Sequence, residues 1–508
     1  MLFPTITFAV FFLLVFVGSW LLMPRPGLWK PFMLGVSLLF YGWWEWRFVL
    51  LLALSAVVNQ GFALLIERLG PGAGRKWALA AAVAANLGVL GWFKYYGFFV
   101  TSFVNFAAAF GFNADLPLLR VVLPIGISFL TFRVLSYVID VYRGTLRTAS
   151  LLDFAVYVTF FPYIAAGPIA RAAEFLPQLA APRDPRRLDT SRAFFLIFSG
   201  LVKKMLIADY LATHLVNGVF TTPGQYTSLE TLLGIIGYSV QIFCDFSAYA
   251  DIAIGVSLLL GFELPENFNA PYTATSVQDF WRRWHMTLSR WLRDYLYIPL
   301  GGNRKGRLRT YLNLMVTMVL GGLWHGAGWP FVFWGFLYGG ALIVEHRRVD
   351  ARRERALSVS VGRERRAILA ACDSLPGAAG ATVAPVAPAI AYDKRPWHGG
   401  VWPRIGVFAF VSLAWVFFRS ATFAAALDVL ARLFQSWGSI GAAVTPGVLL
   451  AIAVGIGVQY VPRSIWERGQ AGFSLVHPVL QGVVLAFGFV LLDVLGPTGP
   501  AAFIYFGF

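Results

Sequence analysis

Three apolar runs set the terms for this chain: PTITFAVFFLLVFVGSWLLM (residues 4–23), FVLLLALSAVVNQGFALLI (residues 48–66) and LLGIIGYSVQIF (residues 232–243). A helix of about 20 apolar residues crosses the roughly 30 Å hydrocarbon core of a bilayer, and lipid leaves every backbone polar group to be satisfied inside the protein. With 58% of its residues hydrophobic, 13% charged and a mean hydropathy of +0.68, the chain is expected to be an all-α polytopic membrane protein. Soluble domains rarely string such runs together.

The first run has no basic residue before it and no small-residue cleavage site, so it is expected to be a retained span. Lysines and arginines then cluster at residues 68–76, 183–192, 282–309, 347–366 and 463–468. Roughly 11 to 14 transmembrane or re-entrant helices place all five clusters on the cytoplasmic side and both termini outside. The net charge of +16 therefore reads as topology and contact with anionic lipid headgroups, with no call for nucleic acid. Lys94, Arg143 and Arg147 fit this scheme less well, and Lys203 and Lys204 interrupt an apolar run.

The expected division is a membrane core at residues 1–349, an Arg/Ala/Pro-rich flexible cytoplasmic linker at 350–400 and a group of membrane helices at 401–508. Cys244 and Cys372 support neither a disulfide framework nor a thiolate site. HExxH, a phosphate loop and CxxC are all missing from the sequence, so neither a metal nor a bound cofactor is expected.

Chemistry is suggested by ionisable groups at membrane depth. His325 lies in LGGLWHGAGWPFVFWGFLYGG (residues 320–340), where Tyr338 is the one other titratable side chain. Gly321, Gly322, Gly326 and Gly328 weaken the helix around it, and apolar halves of about 14 and 16 residues are each short for a crossing, which suggests a broken or re-entrant pair. Irregular backbone at that depth implies surrounding protein or a cavity, and an imidazole there suits a general base; the bland alternative is a histidine that joins helices by hydrogen bonds.

In residues 276–306, Val277, Phe280, Trp281, Trp284, Leu288, Trp291, Leu292 and Tyr295 recur at spacings of three and four. This predicts an amphipathic helix at the interface, with His285 at the edge of its apolar face. Asp245 and Tyr249 share a helical face, and Asp251 lies about two turns beyond Asp245; these groups either line a pathway or bond neighbouring helices.

The segments DFSAYADIAIG, ENFNAPY, DFWRRWHMTLSRWLRDYLYIPLGGNRKG and GGLWHGAGW, in this order, together with LPIGISFLTFRVLSYVIDVYRG and FFPYIAAGPIAR, resemble the membrane-bound O-acyltransferases over most of the chain. Within that family the chain most resembles the branch that O-acetylates bacterial polysaccharides such as alginate, and it is also similar to transferases that D-alanylate teichoic acids. The resemblance implies a tunnel through the membrane, with His325 and His285 catalytic and Trp324, Asn313, Asp245, Tyr249, Asp251 and Asn267 as candidate lining. It implies a cytoplasmic acyl donor, acetyl-CoA or an acyl carrier, met by Arg282, Arg283, Arg293 and Arg304. It further implies separate periplasmic or membrane-anchored acetyltransferase partners and a polysaccharide synthase complex, in a bacterial inner membrane. A transporter or flippase for an envelope glycan is the competing class. It calls for inverted repeats, which the sequence does not show.

Overall fold

The computed structural model describes residues 1–112, 116–117, 119, 121–181, 183–373, 400–496 and 503–504. The protein is 76% helical with no strands among the described residues, as the apolar runs require. In chain order the helices are α1 (Ile6–Leu22), α2 (Pro26–Gly42), α3 (Arg47–Arg68), α4 (Ala73–Leu90), α5 (Tyr96–Ala109), α6 (Ile127–Arg143), α7 (Leu151–Thr159), α8 (Ala172–Ala180) and α9 (Thr190–Val202). There follow α10 (Asp209–Leu211), α11 (Asn217–Thr221), α12 (Ser228–Leu259), α13 (Val277–Arg283), α14 (Met286–Leu292), α15 (Arg307–His325), α16 (Trp329–Asp373), α17 (Val401–Arg419), α18 (Phe423–Arg432), α19 (Pro446–Gly457), α20 (Arg463–Ser474) and α21 (Pro478–Leu495).

Among the described residues, four helices are long and apolar enough to cross a membrane by length and composition alone, and a fifth candidate is the pair Pro446–Tyr460 and Arg463–Ser474, bent by 95°. Several others fall just short of that length; α1 has 17 residues, about 25 Å of helix. The sequence places the linker at residues 350–400, whereas α16 continues through Asp373, because its alanines, arginines and glutamates favour helix. Residues 374–399 lie outside the described part, as do 497–502 and 505–508.

Helix α12 is the axis of the fold. Its start is fixed by a reciprocal cap, in which Thr227 Oγ1 accepts from the Glu230 amide at 3.2 Å and Glu230 Oε2 accepts from the Thr227 amide at 2.8 Å. Helix α9 lies close against it because Gly255 and Gly200 leave room for backbone: a Cβ on Gly255 would stand 2.6 Å from the Ala193 carbonyl oxygen. Lys203 and Lys204 begin a π-helical turn after α9; Lys204 meets Asp209 of α10 (2.8 Å) and Asp245 of α12 (2.9 Å), and Lys203 pairs with Asp251 of α12.

The stretch FFPYIAAGPIAR is buried and largely without regular helix, which lipid forbids unless protein supplies the hydrogen bonds. Fully buried Arg133 on α6 supplies two, donating from Nη1 to the Tyr163 carbonyl (3.1 Å) and from Nη2 to that of Ile164 (3.2 Å). Ser37 Oγ accepts from the Phe161 amide and Thr287 Oγ1 from the Ile169 amide, at 3.2 and 3.0 Å. Arg133 is thus a structural cation, paired with carbonyl dipoles.

Helices α15 and α16 form an antiparallel hairpin broken at Gly326–Gly328. The two backbones touch: a Cβ on Gly322 would stand 2.2 Å from the Phe331 carbonyl oxygen, and one on Gly335 would stand 2.3 Å from that of Met318. The glycines around His325 therefore serve close packing as well as the break.

Candidate active site

The amphipathic segment at residues 276–306 is not one flat helix. It breaks at His285, whose φ of +41° is a left-handed conformation that residues other than glycine rarely adopt. Helix α13 begins beside Glu345, which accepts from the Val277 and Gln278 amides at 2.6 and 2.9 Å, and climbs along α16 as Trp281 packs on Tyr338 and Trp334. Helix α14 then returns beside α6: Trp291 stacks on Phe132 at 3.6 Å, and Tyr295 donates to Asp140 at 2.7 Å. The segment is re-entrant, and His285 is its tip. The three-and-four spacing survives because both limbs turn their apolar side chains into the same core.

Asn267 holds that tip. Its Oδ1 accepts from the Thr287 amide (3.3 Å) and hydroxyl (2.8 Å) and faces His285 Nδ1 at 3.1 Å, while its own carbonyl accepts from the Met286 amide at 2.9 Å. Because a backbone N–H only donates, the Asn267 atom it meets is the oxygen. The proton shared with His285 therefore sits on Nδ1, and Nε2 is left with its basic lone pair.

The two histidines meet with ring centroids 6.4 Å apart, and both are buried, at 0% and 2% exposure. His325 ends α15 and stands edge-on to Trp324 (4.9 Å), Trp334 (5.2 Å) and Phe418 (5.3 Å). Phe246 of α12 stands edge-on to His285 at 4.8 Å. Within this aromatic box His285 Nε2 and the indole nitrogens of Trp324 and Trp334 have no hydrogen-bond partner among the described residues. Native proteins rarely bury polar atoms this way unless something else is to engage them.

His285, His325, Trp324 and Asn267 thus come together as one site. The other sequence candidates lie elsewhere. Asn313 donates to the Gly302 carbonyl at 2.8 Å, about 18 Å along α15 from His325. Asp245 and Asp251 are engaged by Lys204 and Lys203, and Tyr249 stacks between Phe3 (4.6 Å) and Phe503 (4.7 Å), lining a partly open pocket with Met1, Tyr41 and Trp44. Arg283 pairs with Asp279 at 2.9 Å and Arg293 with Asp294 at 2.6 Å, while Arg282 and Arg304 are exposed. Arg293 and Arg304 lie on the returning limb and tail of the re-entrant segment, whereas Arg282 and Arg283 stand three and two residues before His285.

The model of the membrane-bound O-acyltransferase family matches residues 38–351, which include both histidines. The chain belongs to that family. This acyltransferase is 41% identical over 356 residues to "Probable alginate O-acetylase AlgI" of Azotobacter vinelandii, covering 69% of this chain and 70% of the relative. It is 34% identical over 465 residues to the "Peptidoglycan O-acetyltransferase" of Helicobacter pylori, covering 85% and 79%. A third relative, "Teichoic acid D-alanyltransferase" of Bacillus subtilis, is 31% identical over 224 residues, covering 42% and 56%. Acyl transfer is the activity of that family.

Proposed function

We propose that this acyltransferase O-acetylates an envelope polysaccharide, with His325 as the general base. The arrangement that carries the reading is the buried His285–His325 pair in an aromatic box whose polar atoms are open to a substrate. The relatives named for alginate and peptidoglycan O-acetylation support acetyl as the group moved.

In the reaction, the imidazole of His325 takes the proton of an acceptor hydroxyl as its oxygen attacks the carbonyl carbon of a thioester. The tetrahedral intermediate collapses, the C–S bond breaks, and the departing thiolate receives the proton from His325. His285, held by Asn267 with Nε2 bare, accepts a hydrogen bond from a neighbouring hydroxyl of the acceptor and so orients the one that reacts. The indole N–H groups of Trp324 and Trp334 are donors in the same box, suited to the developing oxyanion. With water excluded, these contacts act at low dielectric.

The donor is a cytoplasmic thioester, acetyl-CoA or an acyl carrier, drawn by the basic segment with Arg282, Arg283, Arg293 and Arg304. Helix α15 starts at Arg307 in the tail of that segment, and His325 stands at its far end, about 27 Å away, while Arg282 and Arg283 lie within three residues of His285. The acetyl group therefore crosses a bacterial inner membrane, in a chain whose termini face outward, and passes to separate periplasmic or membrane-anchored acetyltransferases working with a polysaccharide synthase. D-alanyl transfer is the second reading, favoured by the 31% identity to the teichoic acid enzyme.

The test is the ester content of surface polymer from cells whose single copy is wild type, His325→Ala or His285→Ala, at matched membrane levels. Mild alkali releases acetate on the first reading and D-alanine on the second. Full esterification with His325→Ala removes the base assignment. A deletion that alters the amount of polymer exported but not its esterification returns the transport reading.

A further inference from the structure

Lys94 is the basic residue least at home in the topology. It lies in the apolar span Ala73–Ala109, about 32 Å along the helix from Ala73, where a charge is costly unless it has partners. Its partners are the end of α15. Lys94 Nζ donates to the carbonyls of Trp324 (2.7 Å) and His325 (3.0 Å) and reaches Ser128 Oγ at 3.4 Å. The next residue, Tyr95, donates from its hydroxyl to the Leu323 carbonyl at 2.9 Å.

Those three carbonyls need outside donors. The last intrahelical bond of α15 runs from the Gly326 amide to Gly322 at 3.4 Å, so the carbonyls of Leu323, Trp324 and His325 lie beyond the helix ladder, at a depth where lipid offers no donor. They also form the negative end of the helix dipole, which favours a cation there. The sequence meets this need with a π-helical turn, Gly91–Tyr95, that widens the helix locally and lets two consecutive long side chains bear on one helix end. Lys94 touches no reacting atom. It grips the backbone of the residue that carries the imidazole.

We propose that Lys94 is a positioning residue: its ammonium clamps the Trp324 and His325 carbonyls and thereby fixes where the His325 imidazole stands against the substrate. Tyr95 is the second jaw of the clamp. A shift of about 1 Å at a reacting group is enough to cost on the order of 100-fold in rate. The inference rests on His325 being the general base, and its test separates the two claims.

The experiment uses the full chain in lipid nanodiscs, with 15N-labelled histidine, and the same variants in cells for polymer ester content. The chain has six histidines, and His325→Gln identifies the resonance of His325 by subtraction. Lys94→Met is expected to move or broaden that resonance, to leave the His285 resonance in place and to lower ester yield roughly 100-fold at matched membrane level. Lys94→Arg, which keeps a charged donor, is expected to recover part of both. If Lys94→Met does not accumulate, Tyr95→Phe, which removes one hydroxyl, carries the test with a smaller shift and a several-fold loss. A wild-type His325 resonance in Lys94→Met, or in Tyr95→Phe where that stands in, overturns the clamp. If His325→Gln itself keeps full ester yield while Lys94→Met still moves the resonance, the clamp stands and the base assignment falls.

Discussion

Two polar clusters are buried inside this acyltransferase, and they are finished in opposite ways. Around Lys204 the charges close on one another: the ammonium meets Asp209 and Asp245, and the second oxygen of Asp245 accepts from the Ile504 amide at 2.8 Å. Around His285 and His325 the side chains meet rings and the Asn267 amide, with Lys94 on the backbone carbonyls behind them, and His285 Nε2 and the indole nitrogens of Trp324 and Trp334 have no partner among the described residues. A closed network holds helices together, here α12, the π turn after α9 and the carboxy-terminal tail. An open one is suited to a visitor. The contrast separates a site for chemistry from a site for architecture more sharply than burial, which both share.

The largest effect that tests this contrast is on turnover. His325→Gln keeps much of the imidazole's volume and hydrogen-bonding capacity but cannot shuttle a proton, so ester formation is expected to fall about 10²- to 10⁴-fold, while the melting temperature of the purified protein stays within a few degrees. Thermal unfolding in detergent beside the ester assay checks both. A large loss of stability with it makes the histidine an architectural residue like Lys204.

Lys204→Met should do the reverse. It leaves Asp209 and Asp245 facing each other, each about 3% exposed, and an uncompensated buried charge costs about 3–5 kcal/mol. The expected result is a marked fall in thermal stability, with ester yield per folded molecule unchanged. A stable Lys204→Met protein that has lost activity places Asp245 and Lys204 on the substrate path, one of the two roles the sequence left open for Asp245.

Third in size is Asn267→Ala. It strips the acceptor from His285 Nδ1 and from the Thr287 amide and hydroxyl, at a cost of about 1–3 kcal/mol, and it frees the imidazole to move its proton to Nε2. Both stability and ester yield are expected to fall, and the 15N shifts of His285 are expected to change tautomer. A variant that loses stability but keeps the tautomer gives Asn267 a packing role alone.

Much of the architecture was legible, because lipid narrows the choice to helices and the apolar runs announce them. His325 was legible because an ionisable group in a glycine-rich apolar run stands out, whereas His285, in a polar amphipathic segment, was singled out by the family resemblance. What no local pattern carries is the meeting of distant residues. Asn267 stands 18 positions before His285, and Lys94 stands 231 before His325, so nothing in either neighbourhood reveals the contact. The break at His285 was hidden by its own residue type, since a left-handed turn usually advertises itself with glycine, and here the Asn267 hydrogen bonds hold a histidine in that conformation. Lys94 did leave a trace as the cation that fitted the topology poorly. A charge in the wrong place by one rule is evidence for a partner by another.

The smallest effect is expected at Asp251, nearly two turns beyond Asp245 on the same helix. Its pair with Lys203 has 25% and 17% of the two side chains exposed, against 4% and 7% for Asp245 and Lys204. Lys203 also donates to Ser247 Oγ at 3.0 Å, so Asp251→Asn leaves it two hydrogen-bond partners and no buried orphan. Partly exposed pairs contribute about 1 kcal/mol or less. The melting temperature of Asp251→Asn is therefore expected to stay close to wild type, with ester yield unaffected. A loss as large as that of Lys204→Met would mean that the two lysine pairs act as one network. The double variant would then lose less than the sum of the single losses.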